Sequence, residues 1–169
     1  MAMSAPLTAY VALGANLGDP VATVHAALEA LRGIDGANFI AASSLYRSAP
    51  VGLRDQPDFI NAVAALMVNP AVLPAPTFLA ALFAIEATFG RVRSIRNAPR
   101  TLDLDLLLYG TERHDSPGLT LPHPRLAERA FVLAPLAEIA PDLVIDGHGR
   151  VTDLLSGVAG QRLERLPSP

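Results

Sequence analysis

The 169-residue sequence contains no cysteine, which excludes disulfides, thiolate metal sites and a cysteine nucleophile. Charged residues are scarce at 17%, and the formal net charge of −3 leaves no basic surface for a nucleic acid. Any phosphate binding must therefore be local. No apolar run approaches the ~20 residues that a membrane helix needs. The opening MAMSAPLTAY has neither a charged n-region nor an apolar h-region, so a cytoplasmic location is expected. Neither G-x-x-x-x-G-K-[ST] nor G-x-G-x-x-G occurs, which removes the two commonest glycine-loop nucleotide motifs. Internal repeats and low-complexity segments are missing too. What is present is a 51% apolar composition long enough for one substantial core. A single domain over 1–169 is expected, with about 1–6 and 164–169 flexible.

The chain reads in order as strand, helix, strand, strand, helix, strand. Leu7–Leu13 is β-prone, and Gly14 to Pro20 breaks it. Asp19 suits an N-cap with Pro20 at the first helical position, and Val21, Val24, Leu28 and Leu31 recur at helical spacing up to Arg32. Phe39–Tyr46 and Phe59–Val68 read as strands, the second carrying the polar amide of Asn61. Pro74–Phe89 reads as a helix capped near Thr77, with Gly90 just past its end. Thr101–Tyr109 is the fourth strand, Gly110–Gly118 a polar turn, and Ala127–Ile139 a helix interrupted by Pro135. This βαββαβ order predicts an α+β, ferredoxin-like core. Its antiparallel sheet would carry helices on one face, followed by a mixed C-terminal extension. The other face would be left for a site.

The stretch PRTLDLDLLL, Pro99 to Leu108, holds the chemistry. Residues two apart on a strand share a face, so Asp103 and Asp105 point one way. Leu102, Leu104, Leu106 and Leu108 would point the other way, toward the core. Neighbouring carboxylates repel unless a cation lies between them, and such a pair suits Mg²⁺ completed by water and phosphate oxygens. Arg91, Arg93, Arg96 and Arg100 stand just upstream. Guanidinium forks beside two acids suggest a polyphosphate site. The plainer alternative is a solvated edge strand after a basic loop.

Four segments together, VALGANLGDP, SSLYRSAPVGLRDQPDFINA, GRVRSIRNAPRTLDLDLLLYG and LTLPHPRLAERAFVLAPL, resemble the 6-hydroxymethyl-7,8-dihydropterin pyrophosphokinases of folate biosynthesis. The likeness runs in order from about Tyr10 to Asp142. It implies a ferredoxin-like fold and transfer of the β,γ-pyrophosphoryl group of ATP to the pterin hydroxymethyl group, leaving AMP. It implies that Asp103 and Asp105 ligate two Mg²⁺ ions, and that Arg91 and Arg100 hold the phosphates during transfer. His123 and Arg129 would contact ATP, and Thr120 would touch the nucleotide. Asn61 would read the pterin edge, Phe59 and Phe131 would flank its ring, and Ser48 and Val51 would complete the pocket. Glu86 would be a supporting acid. ATP and the pterin are thus the expected partners of a monomer, with no nucleic acid and no membrane. The chain departs from the family pattern in lacking tryptophan: Asn97-Ala98 stands where relatives often place an indole, in a loop one residue shorter. That departure bears on Arg93 and Arg96. Pro124 also follows the histidine where some relatives have tyrosine.

Two other classes compete with this reading. A two-metal phosphodiesterase would need more acidic or histidine ligands than Asp103, Asp105 and His123. A ferredoxin-like RNA-binding module would need paired aromatics and a basic face. Three tyrosines, six phenylalanines and an acidic balance argue against that module.

Overall fold

A computed structural model describes residues 5–51, 55–90 and 101–168. The first strand β1 (Leu7–Ala15) leads into α1 (Pro20–Arg32), where Asp19 accepts a hydrogen bond from Ala22 N as the expected cap. Next come β2 (Ala37–Ala42), β3 (Tyr46–Ser48) and β4 (Phe59–Val68), then α2 (Ala75–Thr88) and β5 (Asp103–Tyr109). These elements form the expected ferredoxin-like core. The extension adds the hairpin β6 (His114–Ser116) and β7 (Leu119–Leu121), α3 (Ala130–Ile139), the pair β8 (Val144–Ile145) and β9 (Gly149–Arg150), α4 (Val151–Ser156) and β10 (Leu163–Arg165). The main sheet runs β10-β3-β4-β1-β5, with β2 also on β4, and every pairing is antiparallel. Among the described residues no helix is long and apolar enough to cross a membrane.

Alternation along the strands divides the core into two layers. Ala9, Val11 and Leu13 of β1 and Ile60, Ala62, Ala64 and Leu66 of β4 face Val24, Ala27, Leu31, Phe78 and Leu82 of α1 and α2. On the opposite face, Val63, Leu107 and Leu108 pack with Val132, Leu133 and Leu136 of α3 and Val151 of α4. The extension therefore covers part of the face that the core helices leave open.

Several local expectations change. The strand read as Phe39–Tyr46 is two segments, β2 and β3, both paired with β4. Between them Ser43 Oγ accepts from Val63 N, and Ser43 N donates to Val63 O, so the chain bends without leaving its partner. The second helix starts at Ala75 with no side-chain cap, so Thr77 already lies in its first turn. Pro76 tolerates that turn because its missing N–H would have had no partner there. Gly90 has φ +79, the left-handed geometry expected just past a helix end. Pro135 does not interrupt its helix, since buried Leu133 and Leu136 hold the turns on both sides of it. Gly110–Gly118 is not only a turn but includes strand β6. At the tail expected to be flexible from 164, β10 pairs with β3, and Leu166 N donates to Leu45 O.

The expectation for Leu108 fails for a clear reason. The register of β1 with β5 passes from Tyr10↔Leu108 to Val11↔Leu106, skipping Leu107. That extra residue reverses the alternation beyond it. Leu102, Leu104 and Leu106 face α1 and α2 as expected, whereas Leu107 and Leu108 face α3. Asp103 and Asp105 precede the bulge and keep their shared face.

Candidate active site

One row across three strands organises the site. Gly14 of β1 stands opposite Asp103 of β5 on one side and Asn61 of β4 on the other. Strand spacing places the acid and the amide roughly 9–10 Å apart across β1. Gly14 has no side chain to fill that gap. A Cβ there would lie 3.4 Å from Asn61 Oδ1 and 4.0 Å from Phe59 Cδ1. A cavity opens over this row, floored by Ala12, Leu13 and Gly14. Asp103 and Asp105 line one side of it; Ser48, Ala49, Val51, Phe59 and Asn61 line the other. Arg129, Phe131 and Val132 close it from the start of α3.

The two sides differ in chemistry. On the amide side Asn61 is buried, and its Nδ2 donates to Ser48 Oγ at 2.7 Å. Register explains the contact: β3 runs beside β4 with Ser48 opposite Phe59 and Tyr46 opposite Asn61. A fixed amide with two aromatic rings suits a flat, hydrogen-bonding heterocycle. On the acid side Asp103 and Asp105 share the cavity with the Arg129 guanidinium, which sits 5.4 Å from the centroid of the Phe131 ring. Burial and the nearby Arg125 pull the Arg129 pKa down, while Asp105 and Asp103 oppose them.

His123 does not line the cavity but feels the same charges. Burial and Arg129 lower its pKa, with Asp103 acting in the opposite sense, so the ring is neutral near pH 7. Its Nδ1 accepts from Arg125 N at 3.2 Å, which places the ring proton on Nε2 as an available donor. Thr120 is exposed on β7, opposite Asp115, and lies outside the cavity. Glu86 is buried in α2, where Oε2 accepts from Leu104 N at 2.7 Å. It therefore fastens α2 to the backbone between the two aspartates. Arg91, Arg93, Arg96, Asn97 and Arg100 lie outside the described residues.

A match to the family model described as 7,8-dihydro-6-hydroxymethylpterin-pyrophosphokinase covers residues 10–141. The chain belongs to this pyrophosphokinase family. A 2-amino-4-hydroxy-6-hydroxymethyldihydropteridine pyrophosphokinase of Pseudomonas aeruginosa is 48% identical over 158 residues, 94% of this chain and 96% of that protein. Its counterpart in Haemophilus influenzae is 43% identical over 160 residues, 95% of this chain and 98% of that protein. A crystal structure of wild-type Plasmodium falciparum HPPK-DHPS with pterin and p-hydroxybenzoate superimposes with a TM-score of 0.70 at 13% identity. That superposition covers 95% of this chain but only 44% of the longer one, and at that identity it shows the fold.

A pyrophosphokinase site must hold a polyphosphate and its acceptor side by side, and the cavity offers an acidic side and an amide side to do so. Sequence reasoning missed three contributors to it. Gly14 reads as a turn glycine, and only its place between Asp103 and Asn61 makes it the floor. Asn16, the residue after β1, is buried and donates to Gln56 Oε1 at 2.8 Å and Pro57 O at 3.0 Å, anchoring the approach to Phe59. Gln161 bonds the backbone on both sides of Arg129 from a segment that carries no motif. The polar Asn16 set between Gly14 and Gly18 was the one signal among these that the sequence offered.

Proposed function

We propose that this cavity brings ATP and 6-hydroxymethyl-7,8-dihydropterin together and transfers the β,γ-pyrophosphoryl group to the pterin hydroxymethyl oxygen, releasing AMP. The observation that carries this reading is the Asp103–Gly14–Asn61 row, with two carboxylates and an amide–aromatic pocket on opposite sides of one glycine. Asn61, oriented by Ser48, reads the donor–acceptor edge of the pterin, while Phe59 and Phe131 cover its faces and Val51 borders the pocket. The hydroxymethyl group then points across Gly14 toward the acids. Its oxygen attacks the β-phosphorus, the bond to the α-phosphate oxygen breaks, AMP leaves, and the hydroxyl proton passes to solvent. Such transfers rely on positioning and charge neutralisation more than on covalent help.

Asp103 and Asp105 fit a hard cation that completes its shell with water and phosphate oxygens. Among the described residues no third carboxylate, imidazole or thiol joins them in a three-ligand cluster, which fits a site finished by its substrate. Two Mg²⁺ ions held there with ATP would supply neutralisation of the phosphate charge. Arg129 and the Nε2–H of His123 add donors on the same side, and Thr120 touches the nucleotide beyond the cavity. Arg91 and Arg100 hold the phosphates in transfer, and Glu86 keeps β5 in place. The protein works as a cytoplasmic monomer. Incubation with ATP, Mg²⁺ and the reduced pterin, followed by nucleotide analysis, tests the reading. Pterin-dependent AMP is expected; ADP, or no pterin-dependent product, would overturn it.

A further inference from the structure

The closing side of the cavity rests on one short stretch of backbone. Arg129 is extended, with φ −126 and ψ 117, and its side chain makes no capping bond to α3. The first amides of a helix have no acceptor within it. Here Ala130 N donates to Gln161 Oε1 at 2.9 Å, and Gln161 Nε2 donates to Glu128 O at 2.7 Å. A single planar amide thus binds the carbonyl before Arg129 and the N–H after it, as a neighbouring strand would. That pair of bonds sets the direction in which the Arg129 side chain leaves the backbone.

Gln161 is itself well placed to act as a clamp. Its own N–H donates to Val158 O at 3.0 Å, just after α4. Two residues later β10 begins, and Leu163 stands opposite Ser48, the acceptor of Asn61. The segment from 161 to 165 therefore touches the supports of both sides of the cavity. It also lies beyond the stretch matched to the family, which ends at 141. Gln161 lines an adjoining groove with Arg125 and Arg162 and is not among the residues that line the cavity itself.

We propose that Gln161 is a positioning residue that acts through Arg129, fixing its guanidinium over the acidic side of the cavity. This rests on the pyrophosphokinase reading given above. Gln161 is exposed, so its removal opens no core cavity. Gln161→Ala and Gln161→Met, the second similar in length but without an amide, are compared in the full chain with and without Arg129→Ala. Each is expected to lower kcat/KM for ATP about 5- to 10-fold, the equivalent of one to two neutral hydrogen bonds. In the Arg129→Ala background the same changes should cost less than about twofold, because interacting sites are not additive. Where turnover of Arg129→Ala falls below detection, the affinity for ATP with Mg²⁺ completes the same cycle. Hydrogen exchange at the Ala130 amide should quicken in both Gln161 variants. Equal losses in the two backgrounds, or full activity with that amide released, would overturn the assignment. A wild-type chain that makes no AMP would instead strike the reading beneath it, while amide exchange still reports on the clamp.

Discussion

Asn61 carries two jobs at once, because the amide that bonds Ser48 also faces the space above Gly14. Asn61→Leu removes the pterin readout and leaves a buried polar edge unpaired at roughly 1–3 kcal/mol. Pterin affinity should fall about 5- to 150-fold with ATP affinity little changed. Titration of each ligand separately checks this, and equal weakening of both would mean misfolding. Asp105 makes a different prediction. Asp105→Ala should abolish turnover while leaving the fold intact. Activity retained with a large stability loss would mark the acid as structural. Gly14 tests the floor. Its φ lies outside the left-handed region, so a side chain is conformationally allowed there. Gly14→Val should overfill the cavity at roughly 1–3 kcal/mol of pterin affinity, with the melting temperature nearly unchanged. Unaltered pterin binding would place the ring elsewhere.

At the level of elements, the alternation of β5 held only as far as its bulge. A D-x-D reading survives because both acids precede Leu107, whereas the leucine pattern fails after it. Nothing in a run of leucines distinguishes a bulge from regular strand. Helix α3 shows a second long-range decision, tied to the bend between β2 and β3 through Glu138. Its carboxylate accepts from Ser44 N, from Ser44 Oγ at 2.9 Å and from Tyr46 Oη at 2.7 Å, with Arg165 alongside. Burial pushes its pKa up, but the Tyr46 and Ser44 hydrogen bonds and the Arg165 charge outweigh it and the net shift is downward. A depressed carboxylate contributes stability above its unfolded pKa and loses it as pH falls through the folded one. Glu138→Gln should therefore cost about 1 kcal/mol near neutral pH, discounted for partial exposure, and less in acid. Tyr46 bears the opposite sign. Burial and Glu138 raise its hydroxyl to about 12, so its contribution is complete below pH 10 and fades as pH approaches 12. Tyr46→Phe should flatten that alkaline limb. Denaturation midpoints across pH check both, and parallel curves for variant and wild type would remove the network from the account.

For the whole molecule, the C-terminal extension acts as more than an appendage. Its helices α3 and α4 cover part of one sheet face, and its last strand pairs with β3. Of the large apolar residues left exposed, Ile40 and Met67 stand on the paired strands β2 and β4, while Phe83 lies on α2 and Val144 on β8. On the monomer proposed above, light scattering should give a mass near 17.7 kDa. A concentration-independent dimer would show that one of these surfaces is paired in solution.

The ferredoxin-like order, the strand that bears Asp103 and Asp105, and the Asp19 cap were all legible in the sequence, because each follows from local periodicity or neighbouring residues. The family resemblance assigns Asn61, Phe59 and Phe131 to the pterin and Arg129 to ATP, and all four line one cavity. Tertiary structure alone decided that Gly14 is the floor, that Ser48 orients Asn61, and that Gln161 grips the backbone around Arg129. Those contacts join residues 13 to 89 positions apart, through strand register and side-chain amides that leave no periodic trace. A chain's pattern records which face a residue must bury; which distant partner it meets there is settled only when the sheet closes.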